Sequence, residues 1–140
     1  MSGTKVQTPH NLVYTEDERR SLAKLLTNLF QLWQLEDSEA LSLLGLNPID
    51  HSVLAGYQNS SPLHNDSETL NRAGLLFGIH KRLNILFSRN PECSYAWMKT
   101  PNRAFKGCMP VEVIRNEGLS GLHQITEYLD RFCTVEPLAR

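Results

Sequence analysis

The stretch Thr15-Glu16-Asp17-Glu18-Arg19-Arg20-Ser21-Leu22-Ala23-Lys24-Leu25-Leu26-Thr27-Asn28-Leu29-Phe30-Gln31-Leu32-Trp33 decides the fold class. Thr15 and Glu18 stand at the spacing of a capping box, in which hydroxyl and carboxylate each satisfy a backbone N–H that the first helical turn leaves unpaired. Glu16, Asp17 and Glu18 also set three negative charges at the positive end of the helix dipole. Leu22, Leu25, Leu26, Leu29, Leu32 and Trp33 then recur at intervals of three and four, which draws one apolar stripe to about Leu35 and requires that it be buried.

The same punctuation continues outward. Asp37 can cap a short second helix through Glu39, Ala40, Leu41, Leu43 and Leu44, stopped by Gly45 in a left-handed conformation. Asn47-Pro48 predicts the start of a third, with Val53, Leu54 and Tyr57 inward. Residues 58–65, rich in Asn, Ser and Pro, read as a loop. Asp66 or Ser67 then caps a long fourth helix whose inward positions are Leu70, Ala73, Leu76, Phe77, His80, Leu83, Leu86 and Phe87, with Arg72, Lys81 and Arg82 expected outside as solvated charges. Asn90-Pro91 opens a helix with Tyr95, Trp97 and Met98, which ends before Thr100-Pro101 because a residue preceding proline is pushed out of the helical region. Pro110 begins a short helix closed by Gly118, and Ser120 begins the last, with Leu122, Ile125, Leu129 and Phe132 inward. No segment alternates with period two. The expected fold is all-α: a compact multi-helix bundle with a helix-turn-helix-like hairpin in its N-terminal half.

Composition agrees with one folded unit. The chain has 140 residues, 41% of them hydrophobic and 21% charged, which excludes a disordered or collagenous protein. No run approaches the ~20 apolar residues of a membrane span, and Met1 to His10 has no apolar segment of secretory type, so a cytoplasmic location is expected. Cys93, Cys108 and Cys133 are odd in number, widely spaced and free of any CxxC pair, so reduced thiols and no metal or other cofactor are expected. Cys93 or Cys108 with His80 or His123 could in principle supply a thiol and a base, but no nucleophile elbow or phosphate-cradling loop surrounds them, and the chain is read as no enzyme. A net charge of -1 gives no global field toward nucleic acid, so such binding has to be local.

One local candidate is the hairpin over residues 36–60, joined by Gly45-Leu46-Asn47, whose second helix would enter a major groove. Its base readers would be Asn47, His51, Ser52, Gln58 and Asn59. Residues 48–57 hold no Lys or Arg, and Glu36, Asp37 and Glu39 precede them, so a scaffold or dimer surface stands as the other reading.

The most informative stretch is Ala96-Trp97-Met98-Lys99-Thr100-Pro101-Asn102-Arg103-Ala104-Phe105-Lys106-Gly107-Cys108-Met109-Pro110-Val111-Glu112-Val113-Ile114-Arg115. Trp97 and Phe105 can anchor a non-helical loop, Pro101 fixes a dihedral, Asn102 can bond the loop's own backbone, and Gly107 permits a turn closed to other residues. Lys99, Arg103 and Lys106 gather three cations around that loop and point to an acidic partner surface or a phosphate.

This stretch resembles the toxin-binding domain of the Xre/MbcA/ParS antitoxins, whose signature runs Trp-Leu, Thr-Pro-Asn, an aliphatic or aromatic residue, a Gly pair, then Pro-hydrophobic-Glu-hydrophobic-Leu before a Gly. The order matches across roughly residues 66–133, with two departures: Met98 replaces the usual Leu, and Lys106-Gly107-Cys108 stands where relatives carry the Gly pair. The N-terminal half is similar to the Xre-like helix-turn-helix region that precedes that domain. The resemblance implies a flexible segment over 1–14, a helix-turn-helix region over 15–65 and a toxin-binding domain over 66–140, with residues 66–88 as a connecting helix. It further implies a bacterial, cytoplasmic antitoxin of a type II toxin-antitoxin system, homodimeric, which covers the active site of a RES-domain, NAD-consuming toxin, with operator DNA of its own operon as a second candidate partner. Trp97, Lys99, Pro101, Asn102, Arg103, Phe105, Lys106, Gly107, Pro110, Glu112, Arg115 and Arg140 are the expected toxin-binding residues, and residues 134–140 are expected to lie beyond the last helix and to enter the toxin cleft. The alternative is a stand-alone helix-turn-helix regulator that uses its C-terminal half only to dimerise.

Overall fold

Seven helices follow one another in the computed structural model, which describes the backbone over residues 13–138 and side chains as far as Cys133. They are α1 (Glu16–Leu32), α2 (Asp37–Leu43), α3 (His51–Gln58), α4 (Ser67–Leu86), α5 (Pro91–Ala96), α6 (Pro110–Glu117) and α7 (Leu119–Leu138). Two 3-10 turns, Trp97–Lys99 and Arg103–Phe105, lie between α5 and α6, and no strand occurs among the described residues, so the fold is the all-α bundle that the periodicity requires. No described helix is long and apolar enough to cross a membrane. The expected flexible segment over 1–14 lies almost wholly outside the described residues, and Arg140 does so entirely.

The Thr15–Glu18 capping box forms as expected: Thr15 Oγ1 accepts the Glu18 N–H at 3.0 Å, and Glu18 Oε1 accepts the Thr15 N–H at 2.8 Å. The buried face of α1 is Ala23, Leu26, Thr27, Leu29 and Phe30, continued by Trp33 at the cap. Leu25 and Leu32, expected inward, are 57% and 42% exposed. The physical reason is that α1 packs against α3 and α4, and the small Ala23 and Thr27 sit on its covered side, which turns the contact face away from the flank that Leu25 and Leu32 share.

One hydrophobic core runs from Ala23 to Leu129, centred on Trp33, Leu41, Leu44, Tyr57, Leu76, Ile79, Leu83, Met98, Ile114 and Ile125. Within it α4 lies along α7, α6 crosses α7, and α2 packs against both α3 and α6, so residues of both halves of the chain close the same core. Gly121 makes the α6–α7 crossing possible: a Cβ there would lie 2.6 Å from the Val113 carbonyl oxygen and 2.8 Å from the Ile114 Cα. Gly74, on the exposed side of α4, has no atom within 4 Å of such a Cβ. Gly74→Ala is therefore expected to stabilise the protein by about 0.5–1 kcal/mol, seen as a rise of a few degrees in a thermal melt.

Several local expectations are corrected. Asn47-Pro48 does not start α3. Asn47 Oδ1 accepts the Ile49 N–H at 3.1 Å and the Asn47 carbonyl accepts the Asp50 N–H at 3.0 Å, so the segment closes as a turn and the helix begins at His51. The N-cap of α2 is Glu36 rather than Asp37, because Glu39 Oε1 reaches back to the Glu36 N–H at 2.9 Å. Arg72 is not a solvated charge. It is 8% exposed, donates to Glu68 at 3.0 Å and to the Leu43 carbonyl at 3.3 Å, and lies against Gly45, whose φ of +75° closes α2. Arg82 is partly covered and paired with Asp130 on α7 at 3.0 Å, which ties α4 to the last helix. Residues 134–138, expected outside the last helix, continue α7 to Leu138, since nothing before Pro137 interrupts the register. Burial pushes the Tyr57 hydroxyl above its ordinary pKa and holds the His80 imidazole below its own.

Candidate functional site

The loop between α5 and α6 is built around Asn102. Its N–H donates to the Cys108 carbonyl at 3.1 Å, its carbonyl accepts the N–H groups of Phe105 and Gly107 at 3.0 Å each, and its Oδ1 accepts the Ala104 N–H at 2.9 Å. Lys106 and Gly107 follow with φ of 59° and 85°, two successive left-handed residues that return the chain toward α6. The role foreseen for Gly107 is thus conformational; it contacts nothing that a Cβ would displace. Pro101, exposed, precedes this hub, and Pro110, buried, starts α6. Glu112 Oε1 accepts the Met109 N–H at 2.9 Å, so Glu112 fixes the helix start, and its other carboxylate oxygen lies 4.0 Å from the half-exposed Arg115 guanidinium one turn on, a weak surface pair.

Aromatic rings join this loop to α7. The Trp97 ring stacks on Tyr128 at 6.2 Å and meets Phe105 edge-on at 6.3 Å; Phe105 meets Tyr128 at 5.1 Å, and Tyr128 meets Phe132 at 5.1 Å. The Arg131 guanidinium lies 5.8 Å from the Tyr128 ring centre. Phe132, expected in the core, is 48% exposed at the edge of this cluster. Sequence reasoning did not select Tyr128, Arg131 or Phe132 as site residues. Their spacing of three and four along one helix, in residue types common at binding hot spots, is the signal that could have found them.

The three cations expected around the loop separate into two kinds. Arg103 and Lys106 are exposed and have no ion-pair or hydrogen-bond partner for their side chains among the described residues. Lys99 is engaged inward instead: its Nζ donates to Glu39 Oε1 at 3.0 Å and to the Gln34 carbonyl at 3.3 Å. It therefore ties the loop to the corner between α1 and α2.

The hairpin reading fares differently. The link between α2 and α3 is residues 44–50, longer than the three or four residues of a helix-turn-helix turn. His51 Nδ1 lies 3.1 Å from Asp37 Oδ2, and the Ser52 hydroxyl donates to Asp50 at 3.0 Å, so both expected base readers face carboxylates. Asn47 is used in its own turn, while Gln58 and Asn59 are exposed at the end of α3. Neither Cys93 nor Cys108 is hydrogen-bonded to His80 or His123 among the described residues, and no three His, Cys, Asp or Glu side chains there could hold a metal ion.

A comparison with curated proteins finds no match. A comparison with family models does: residues 82–132, which run from the last turn of α4 through the loop and α6 to Phe132, match the antitoxin Xre/MbcA/ParS C-terminal toxin-binding domain, and that segment of the chain is similar to a toxin-binding antitoxin domain.

Proposed function

We propose that this protein is the antitoxin of a type II toxin-antitoxin pair and neutralises a protein toxin by binding it through the loop after α5 and the adjoining face of α7. The observation that carries this reading is the coincidence of two things: the segment matching a toxin-binding antitoxin domain is the one whose loop is held rigid by Asn102 and presents unpaired cations. Inhibition of this kind needs no chemistry from the antitoxin. It needs a preorganised surface that excludes substrate from the toxin's cleft. Within that surface Trp97, Pro101, Asn102, Phe105, Gly107, Pro110 and Glu112 shape the loop, whereas Arg103, Lys106 and Arg115 offer charge to the partner. The resemblance favours a RES-domain, NAD-consuming toxin, and self-association into a homodimer.

Binding to operator DNA, either as autorepression or as the sole role of a stand-alone regulator, is the alternative. It would have to work without any Lys or Arg on α3 and beside Glu36, Asp37 and Glu39, so steep salt dependence of a sequence-specific complex is the result that would favour it.

The test is co-expression with the product of the adjacent reading frame. Growth should be restored and the two proteins should copurify. Arg103→Glu with Lys106→Glu is expected to lower affinity about 10-fold or more at low salt without altering helix content, because rim charges set encounter and complementarity rather than fold. No complex between the parent proteins, or a doubly reversed variant that binds and inhibits like the parent, counts against this surface.

A further inference from the structure

Resting on the toxin-binding reading, we propose that Phe132 is an anchor residue that inserts into an apolar socket on the toxin, with Arg131, Arg103 and Lys106 meeting carboxylates at the socket's rim. Among the large exposed hydrophobic side chains of the described residues (Val13, Leu25, Leu32, Ile49, Ile85 and Phe132) it is the one aromatic. It is also the one that belongs to a ring cluster, through Tyr128 to Phe105 and Trp97. Half of its surface remains to be buried, and a ring braced from behind by packed neighbours loses little conformational freedom on docking. Phe132 closes the segment that matches the toxin-binding domain, and all seven side chains of this surface fall inside it.

Charge selects the occupant. Arg131 is engaged with the Tyr128 ring, not with a carboxylate, and Arg103 and Lys106 on the turn that carries Phe105 have no acidic partner among the described residues. A second copy of this chain docked face to face would set these cations against their own images, which a twofold interface penalises. Phosphate is disfavoured as well, since it offers no apolar surface to cover the half-exposed Phe132 ring. A protein surface with an apolar pocket and acidic rim satisfies both requirements.

The experiment titrates the product of the adjacent reading frame, in an inactive form, with the full-length protein and its variants. Phe132→Ala should weaken the complex about 30-fold or more while shifting the thermal midpoint by no more than a few degrees, because the ring is half exposed. Phe132→Leu should recover part of the loss, since apolar volume is restored without the ring. Arg131→Gln should weaken binding less and flatten its dependence on salt. Parent-like affinity of Phe132→Ala, with Arg103→Glu/Lys106→Glu still impaired, would overturn the anchor and leave the toxin-binding surface standing. Absence of any complex with the parent protein would overturn both. A Phe132→Ala variant that dissociates a homodimer yet keeps its toxin affinity would assign the patch to self-association and overturn the anchor.

Discussion

A Gly121→Ala protein is expected to melt about 10 °C or more below the parent. The added Cβ would stand 2.6 Å from the Val113 oxygen, 2.8 Å from the Ile114 Cα and 3.0 Å from the Val113 carbonyl carbon. All three are backbone atoms of α6, so no side chain can rotate away, and the helix itself has to move by several tenths of an ångström. Both Val113 and Ile114 are buried, and displacing them disturbs the core on which Leu122 and Ile125 close. Overpacking against a backbone costs about 3 kcal/mol or more, and in a chain of this size each kcal/mol moves the midpoint by roughly 3–5 °C. Gly74→Ala is the control, with the same chemical change in a helix where nothing is in the way. A Gly121→Ala midpoint within about 2 °C of the parent would show that α6 and α7 separate at no cost.

The consequence reaches the candidate site. The α6–α7 corner, where Gly118 with φ of 63° turns the chain from one helix into the next, brings Tyr128 to the ring of Trp97, with Phe132 against the Tyr128 ring. Toxin binding by Gly121→Ala should therefore fall together with stability, whereas Phe132→Ala should lose binding alone.

What could be read in the sequence was what depends on neighbours along the chain. The α1 capping box, the proline starts of α5 and α6, the asparagine hub at Asn102 and the left-handed Gly107 are all decided within a few residues, and each is found where local chemistry puts it. Two misreadings are local choices between competing side chains, the turn at Asn47 and the cap at Glu36, and the others concern partners far away. Arg72 looks like any helix-surface arginine until the Leu43 carbonyl and the side-chain-free face of Gly45 are placed against it from 29 and 27 residues upstream. Leu25, Leu32 and Phe132 fit an apolar stripe, but periodicity fixes only which residues share a face and not where the neighbouring helices stop covering it. The loop motif was legible as a motif, and the grouping of Tyr128, Arg131 and Phe132 on one face of α7 is local, while the packing of Tyr128 on Trp97 and Phe105 depends on the crossing at Gly121.

Lys99 is the instructive case, because its reversal is expected to damage the fold where reversal of Arg103 and Lys106 damages only binding. Trp33 ends α1, and Gln34 then takes a left-handed conformation with φ of 58°, its N–H bonded to the Gln31 carbonyl and the Leu35 N–H to Phe30. A non-glycine residue there is strained, and its carbonyl accepts Lys99 Nζ at 3.3 Å. The same ammonium donates to Glu39 Oε1, the oxygen that also accepts the Glu36 N–H to start α2, on a side chain only 10% exposed. Lys99→Glu removes both bonds and sets a second carboxylate beside a nearly buried one, a change worth about 2–4 kcal/mol and a fall of roughly 8–15 °C in the melting midpoint. Glu39→Gln in the same chain should recover part of that loss, since a glutamine oxygen keeps the cap on Glu36 while its amide can donate to the new carboxylate. Thermal melts of Lys99→Glu, Lys99→Glu/Glu39→Gln and Arg103→Glu/Lys106→Glu decide the matter; if the first melts with the third and with the parent, Lys99 is a rim charge and the clamp on the α1–α2 corner does not exist.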